Sequence, residues 1–579
     1  MKKILTLAFL ASLSALPISA SADTPKNSKP SVMLATPPAP AATESERWAE
    51  LARRRAAVAS KMADKSMLIL FSAEPKLYAN DVDYVYRQEN NLYYLTNLKQ
   101  PNAAFVMVKN GTDVKEYLFI PKRDARQEAW EGRMYSSDDV TKISGLRTIV
   151  DSAEFEDFLD LAKEKRSYTS KNQITIPNSV ETVYTPLPND EDDGEGHREY
   201  RQEMDWVKSF AKVETAESGD YKYETATGYK VANAQPVFAA LRHIKTPYEL
   251  KRIQHAIDIT TEAHMRAMAT VGRAKWEYEV HAEVEYIFRR RNADSWGYPS
   301  IVGCGANATT LHYVESQSPI VQGDLLLMDV GAEYDHLTAD VTRTFPVNGK
   351  FSPAQADIYR IVYNAQEAAA AVTKPGATFG QAGQAARKVI DDGLAKLGLI
   401  TGPGATIPGV VIEVPDGKGG VKKVERSQTS LFAIHGLGHW LGMNVHDVGE
   451  YGVPFRPGMI YTNEPGIYIR EDALDYLPDT PEVKAMIAKI RPAYEKYKNI
   501  GVRIEDDMLV TDSGYEWMTK KLPRKLEDIE AFMVAAPAEV PFQASVLSPR
   551  PANIFVALAG GGMGRGVSRA EEHDHSIGG

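Results

Sequence analysis

The chain of 579 residues is 43% hydrophobic and 25% charged, ordinary globular content for two domains with terminal extensions, and this excludes a wholly disordered protein. A formal net charge of −10, without any compact run of lysine or arginine, excludes nucleic-acid binding through a global field. A single cysteine, Cys304, excludes an intrachain disulfide, and its setting in "IVGCGANATTLHY" favours a buried small filler over a nucleophile.

In chain order, residues 1–22 read as a cleavable secretory signal. Lys2 and Lys3 precede an apolar stretch from Ile4 to Ile18, and Ala20-Ser21-Ala22 fits a small-x-small cleavage site. The stretch is short for a bilayer span and nothing downstream reaches eighteen apolar residues, so no stable membrane span is expected and the mature protein is placed outside the cytoplasm, secreted or periplasmic. Residues 23–45, rich in Pro, Ala, Ser and Thr, read as a flexible leader. From 46 to 240, β-rich pieces ("SMLILFSA", "AAFVMVK", "EYLFIPK") alternate with helix-like stretches, which predicts an α/β domain.

Within that domain "NDEDDGEGHREY" is an acidic loop. Counted as a calcium loop from Asn189 it has Gly194 at the sixth position but Tyr200 where glutamate is needed at the twelfth, so a solvated insertion is the better reading. A second domain is expected over 241–520. It opens on a long helix with Thr246 as N-cap, Pro247 at the first helical position and Glu249 closing a capping box. Ser352-Pro353 starts another helix that ends at Pro375-Gly376, and "EVPDGKGGVKKVE" reads as a hairpin. Beyond Lys521 patterning fades, and 521–579 is expected to be a largely flexible extension in which His573 and His575 are solvated.

The chemistry-bearing residues cluster in the second domain. "DLLLMDVGAEYDHLTADVTRTFPV" (324–347) reads as a hairpin; symmetry about Tyr334-Asp335 would set Asp329 directly opposite Asp340, with Cβ atoms about 4.5–5.5 Å apart. Two carboxylates that close, one in an apolar run, need compensation by a shared proton, by an arginine such as Arg343, or by a cation. In "NIGVRIEDDMLVT", period-two alternation sends Val502 and Ile504 one way and Arg503 and Glu505 the other. Glu464 precedes Pro465-Gly466, where an extended segment turns and aims a carboxylate.

"HGLGHWLGMNVHD" supplies three histidines. His435 and His439 have the i, i+4 spacing of a zinc-protease helix, but the glutamate of that motif is missing and Gly436 and Gly438 oppose a helix. In an extended segment the two share a face, and His446 rejoins them only through a turn, for which Gly442 is the plausible place. The spacing leaves the ligand among them open. A carboxylate-rich site with imidazole nearby suits oxygen-loving divalent ions such as Mn²⁺, with Co²⁺ or Zn²⁺ also compatible.

Taken in order, "DVGAEY…ADVTRTFPVNGKF", "HGLGHWLGMNVHD", "NEPGIYI" and "GVRIEDD" resemble the metallopeptidases of the aminopeptidase P, prolidase and methionine aminopeptidase superfamily, over about 245–515. "YVYRQENNLYYLTNLKQPNAAFVMV" and "KRDARQEAWEGRM" look like the non-catalytic domain of aminopeptidase P, over roughly 46–150. The resemblance implies an α/β (α+β) protein, a creatinase/aminopeptidase-P-like domain followed by a pita-bread catalytic domain. It implies two divalent ions, manganese foremost, held by Asp329, Asp340, His439, Glu464 and Glu505, with Asp340 and Glu505 shared between them. His312, His435 and His446 would then contact substrate, Glu464 would also accept the proton of the attacking water, and Arg503 would orient Glu505 or a neighbouring acid. The implied activity is release of the first residue from peptides with proline in second position, and homo-oligomeric assembly is expected. Three alternatives stand beside it: a prolidase confined to Xaa-Pro dipeptides, a methionine aminopeptidase, disfavoured by the export signal, and a peptide-binding pseudoenzyme.

Overall fold

The structure, a computed structural model, describes residues 31–188, 199–215, 221–415 and 421–544. The expected signal segment, most of the acidic loop, and the tail with His573 and His575 lie outside the described residues.

The amino-terminal domain begins with the helix Glu44–Lys61, where Thr43 caps the helix and Glu46 closes a capping box. Its centre is a six-stranded mixed sheet in the spatial order Lys230–Asn233, Thr182–Thr185, Ser66–Phe71, Ala104–Asn110, Asp113–Ile120 and Ile149–Asp151. Ser66–Phe71 is buried along its whole length, as a strand covered on both faces must be. Leu68 and Leu70 pack toward one side of the sheet, Met67 and Ile69 toward the other.

The cap pattern holds: Thr246 accepts from Glu249 N, and the helix Pro247–Thr270 follows. Two further helices, Pro353–Val372 and Phe379–Leu397, each open with a capping box. They flank short sheets whose strands Leu325–Val330, Val341–Pro346, Ile460–Asn463 and Gly501–Arg503 carry or adjoin the acids. Thr406–Pro415 and Val421–Ser427 pair antiparallel, the expected hairpin. Among the described residues no helix is long and apolar enough to cross a membrane.

Three expectations change. The acidic hairpin is centred one residue further on: Asp329 pairs with Thr342, not Asp340, because the reversal lies at Asp335-His336, between the paired Tyr334 and Leu337. Both turn residues have positive φ (56° and 59°), the two-residue hairpin geometry that matches strand twist, adopted here without glycine. The amino-terminal domain holds it there, since Tyr93 Oη donates to Asp335 at 2.5 Å and stacks on the His336 ring with centroids 3.6 Å apart. Asp329 and Asp340 are therefore diagonal neighbours.

Second, Lys521 is not the end of packed structure. Leu526–Ala535 is a helix that buries Ile529, Phe532 and Met533 on the main core, an amphipathic face hidden by its short length. Third, the described part of the leader lies against the body: Thr36 donates through N and Oγ1 to Glu262 (2.7 and 2.6 Å), and Val32 N donates to Glu539 at 3.1 Å. Proline-rich composition removes internal hydrogen bonding, yet leaves the backbone free to bond a neighbour.

Candidate metal centre

Cys304 is buried in the strand Ile301–Cys304 and its thiol is pushed up to about 12 by burial, so it is a filler and not a nucleophile. The chemistry lies beside it, in a cavity of about 560 Å³ lined by Asp329, Asp340, His435, His439, His446, Glu464, Arg503, Glu505 and His312. The residues given metal, substrate and orienting roles by the resemblance thus reach one space, whereas Arg343 does not.

Asp329 comes from the middle strand of its sheet, and Asp340 from the residue just before the neighbouring strand. Gly331 makes their approach possible, because a Cβ there would lie 1.9 Å from the carbonyl oxygen of Ala339. Tyr298 Oη stands 2.5 Å from Oδ1 of each acid. A hydroxyl has one proton to donate, so both contacts are satisfied only if the acids share a further proton. Burial, then the charge of Asp329, raises the Asp340 carboxyl accordingly.

His439 lies in an extended, non-helical segment, which disposes of the zinc-protease helix. Its backbone is pinned to the strand Ile460–Asn463: His439 N donates to Thr462 Oγ1 and Thr462 N to His439 O, both at 2.9 Å. Gly438 allows this contact, since at φ +154° an added Cβ would lie 2.0 Å from Thr462 O. The ring bonds the Trp440 carbonyl through Nδ1 at 3.1 Å, which turns Nε2 toward Asp340 Oδ2 and Glu464 Oε1, 3.3 Å from each. Gly438→Ala is expected to swing His439 away and to lower metal affinity about 10–100-fold with the fold intact; isothermal titration with Mn²⁺ measures it.

Glu464 accepts from Thr462 Oγ1 at 3.0 Å, and Glu505 accepts from Thr342 Oγ1 at 2.5 Å. The alternation read from the sequence holds: Val502 and Ile504 are fully buried in the core while Arg503 and Glu505 line the cavity. Arg503 bonds Asp329, reaches Thr342 Oγ1 at 3.1 Å and Tyr468 Oη at 2.9 Å, and stays 4.0 Å from Glu505. Arg503, and not Arg343, is therefore the cation that faces the acids. Arg343 points away, pairing with Asp506 at 2.6 Å while its Nη1 donates to the Glu505 carbonyl.

Asp340, Glu464 and Glu505 crowd together out of water. Burial and mutual repulsion push Glu464 up to about 7 and Glu505 well above the usual carboxylate range. Burial opposes a charge on His439, yet Asp340 and Glu464 beside it hold its ring up at about 9. The carboxylates ask for positive charge, and ligand atoms of Asp340, His439 and Glu505 lie within 4.8 Å of one another. An oxygen-rich donor set with one imidazole fits divalent cations.

Two histidines stand at the rim in neutral form. Burial, then Arg503, brings His435 down to about 4; its Nε2 lies 2.8 Å from Tyr468 Oη and its Nδ1 4.0 Å from Glu464. His446 opens to the cavity but is half enclosed by its walls, and that enclosure together with His439 lowers its ring to about 4. The turn expected near Gly442 is present: Asp447 folds back on Gly442, and the His446 and His439 rings come within 4.0 Å. Sequence reasoning missed Tyr298, Thr342, Thr462 and Tyr468. None stands in a spacing pattern with the acids, and only the fold brings them close.

Comparison with known proteins agrees with this geometry. The profile of Metallopeptidase family M24 matches residues 251–512, and that of the Aminopeptidase P, N-terminal domain matches residues 51–169. The chain is 33% identical to the Xaa-Pro aminopeptidase of Haemophilus influenzae and 32% to that of Escherichia coli, over 84% of its own length and 97% and 98% of theirs. Among solved structures it is similar to the aminopeptidase PepP of Pseudomonas aeruginosa (32% identity, TM-score 0.66) and to zinc-substituted E. coli aminopeptidase P in complex with product (30%, 0.66). Each alignment covers 86% of this chain and 99% of the other. Two profiles in the right order, relatives matched nearly end to end, and acids gathered where a cation belongs lead to one conclusion: the chain belongs to metallopeptidase family M24, with an aminopeptidase P-type amino-terminal domain, and is a metal-dependent hydrolase.

Proposed function

We propose that the protein removes the first residue from peptides with proline in second position, using two divalent ions, manganese foremost and cobalt or zinc as substitutes, held by Asp329, Asp340, His439, Glu464 and Glu505. The observation that carries this reading is the convergence of these residues with His435, His446 and His312 in one cavity. Divalent ions so held supply Lewis acidity toward the scissile carbonyl and lower the pKa of water.

The chain's own groups do the rest. Glu464, whose carboxylate faces the cavity while accepting from Thr462 Oγ1, is placed to accept and return a proton. His446, uncharged near neutral pH, offers a ring N–H to developing negative charge on substrate oxygen; His435, whose Nδ1–H donates to the Gly436 carbonyl, accepts from Tyr468 Oη through Nε2 and holds that hydroxyl beside Arg503, and His312 at the cavity positions the scissile segment. Arg503 holds Asp329 in place through its guanidinium. A bond before proline has no amide proton, so the site receives it by shape and by the carbonyl alone.

The test is hydrolysis of Xaa-Pro and Xaa-Pro-Xaa peptides by the purified protein after chelation and after adding back Mn²⁺, Co²⁺ or Zn²⁺. Release of Xaa from the tripeptide, restored by metal, is the expected result; cleavage of dipeptides alone assigns a prolidase instead. In the same assay His439→Ala is expected to lower metal occupancy, whereas His446→Ala keeps metal bound and reduces turnover about 100-fold.

Export and self-association complete the proposal. Residues 1–22 support secretion or a periplasmic location. Exposed Leu77, Tyr78, Val82, Tyr84 and Val85 on one small hairpin, with Trp130, support a homo-oligomer, which size-exclusion chromatography with light scattering measures.

A further inference from the structure

His446 has no hydrogen-bond partner for its ring among the described residues and lies in a segment, 442–447, without regular structure. Its position is therefore set by what holds the backbone on either side. On one side is Asp447, whose carboxylate accepts from Arg242 Nη2 at 2.6 Å, Lys245 Nζ at 3.3 Å and Asn444 N at 3.4 Å. Asp447, Arg242 and Lys245 are 6%, 3% and 5% exposed, so the group is sealed from water. Gly442 backs directly on it, where a Cβ would lie 2.0 Å from Asp447 Oδ2.

The cations do not belong to the catalytic cavity. Arg242 ends the helix Gln235–Arg242 and Lys245 follows in the link between the two domains. Arg242 Nη1 donates to Asn91 Oδ1 at 2.9 Å, which ties the triad to the amino-terminal helix Asn90–Thr96. Two further bonds cross from the same place to the same segment: Asn90 Nδ2 donates to Asn444 Oδ1 at 2.7 Å, and Arg87 Nη2 donates to the Met443 carbonyl at 2.6 Å.

We infer that the amino-terminal domain positions His446, through the buried Arg242–Asp447–Lys245 triad and the Arg87, Asn90 and Asn91 contacts. The inference rests on the substrate-contacting role proposed above for His446. Asp447 is a positioning residue: it touches neither substrate nor the metal-binding acids, and it acts by holding the backbone next to His446. Burying an ion triad contributes little net stability, because desolvation offsets most of the attraction, whereas its fixed geometry sets the register of the segment. A domain with no ligand in the cavity thereby takes part in turnover.

The experiment is a double-mutant cycle on the full-length, metal-loaded protein with an Xaa-Pro-Xaa peptide. Asp447→Asn is expected to lower kcat about tenfold with metal content and KM little changed, and to cost nothing further in a His446→Ala background. Asn91→Ala leaves every charge paired, so it folds even where Asp447→Asn does not; it is expected to lower kcat about threefold, again only when His446 is present. A purely structural triad would give additive losses in both backgrounds, or losses that follow metal content, and either result overturns the inference. Unchanged kcat in both folded variants overturns it as well. A wild-type protein that cleaves no Xaa-Pro peptide overturns the proposed function together with it, and is told apart from additivity in an active enzyme.

Discussion

An Asp340→Asn protein is expected to retain its fold, to lose its metal and to fall about a thousandfold or more in kcat/KM. Asn has the same shape, so the contact with Tyr298 at 2.5 Å survives in kind, while the charge that attracts the cation does not. The accompanying stability change has the opposite sign from that of most buried substitutions. Burial and the neighbouring Asp329 already penalise the Asp340 carboxylate, so removing its charge relieves repulsion in the metal-free state. Metal-free Asp340→Asn is therefore expected to melt no lower than metal-free wild type. Elemental analysis, calorimetry and peptide hydrolysis read the three effects separately. Full hydrolysis by an Asp340→Ala/Glu464→Ala protein would sink the metal mechanism.

Removing metal from the wild type is expected to lower its melting temperature, and more so in alkali than in acid. The folded, metal-free protein holds Glu464 at about 7 against the usual 4.5, so it binds an extra proton between those values. The stability this contributes is complete below about pH 4.5 and is lost as pH rises through 7. His439, at about 9 against 6.5, acts in the same direction: its contribution is complete below 6.5 and lost as pH rises through 9. Metal binding needs both groups deprotonated, so affinity rises over the same range. A gap of roughly 5–10 °C between loaded and chelated protein is expected at pH 8, narrowing toward pH 6. Scanning fluorimetry with and without chelator measures it; a gap that is constant, or that widens in acid, contradicts the account of the site.

What could be read from the residues was whatever depends on short-range rules. Thr246, Pro247 and Glu249 mark a helix start because a cap is completed within four residues, and the structure places it there. The acids and histidines were legible as a group because each sits in its own apolar or glycine-rich surrounding, where a charged side chain needs a reason. Pairing across the hairpin was not, since Asp335 and His336 turn the chain only with Tyr93 and Arg252 to hold them. The same applies to the choice between Arg343 and Arg503. Both alternate correctly along their strands, and only the assembled sheets decide that Arg503 meets Asp329 while Arg343 meets Asp506. Helix Leu526–Ala535 went unread because ten residues with one apolar face carry too little periodicity to stand out beside a glycine-rich tail.

The turn at Asp335-His336 has a consequence for the order in which the molecule is made. Left-handed backbone at two successive non-glycine residues costs about 1–2 kcal/mol each, and contacts from Tyr93 offset that cost. Tyr93 emerges some 240 residues before the turn it supports, from the ribosome or, for an exported chain, from the translocation channel, so the amino-terminal domain is the first to become free to fold. When the hairpin emerges, its template is already standing, and the spacing of Asp329 and Asp340 is cast against it. Chain order here doubles as assembly order: with the two halves reversed, the acids would be synthesised before the surface that sets them in register.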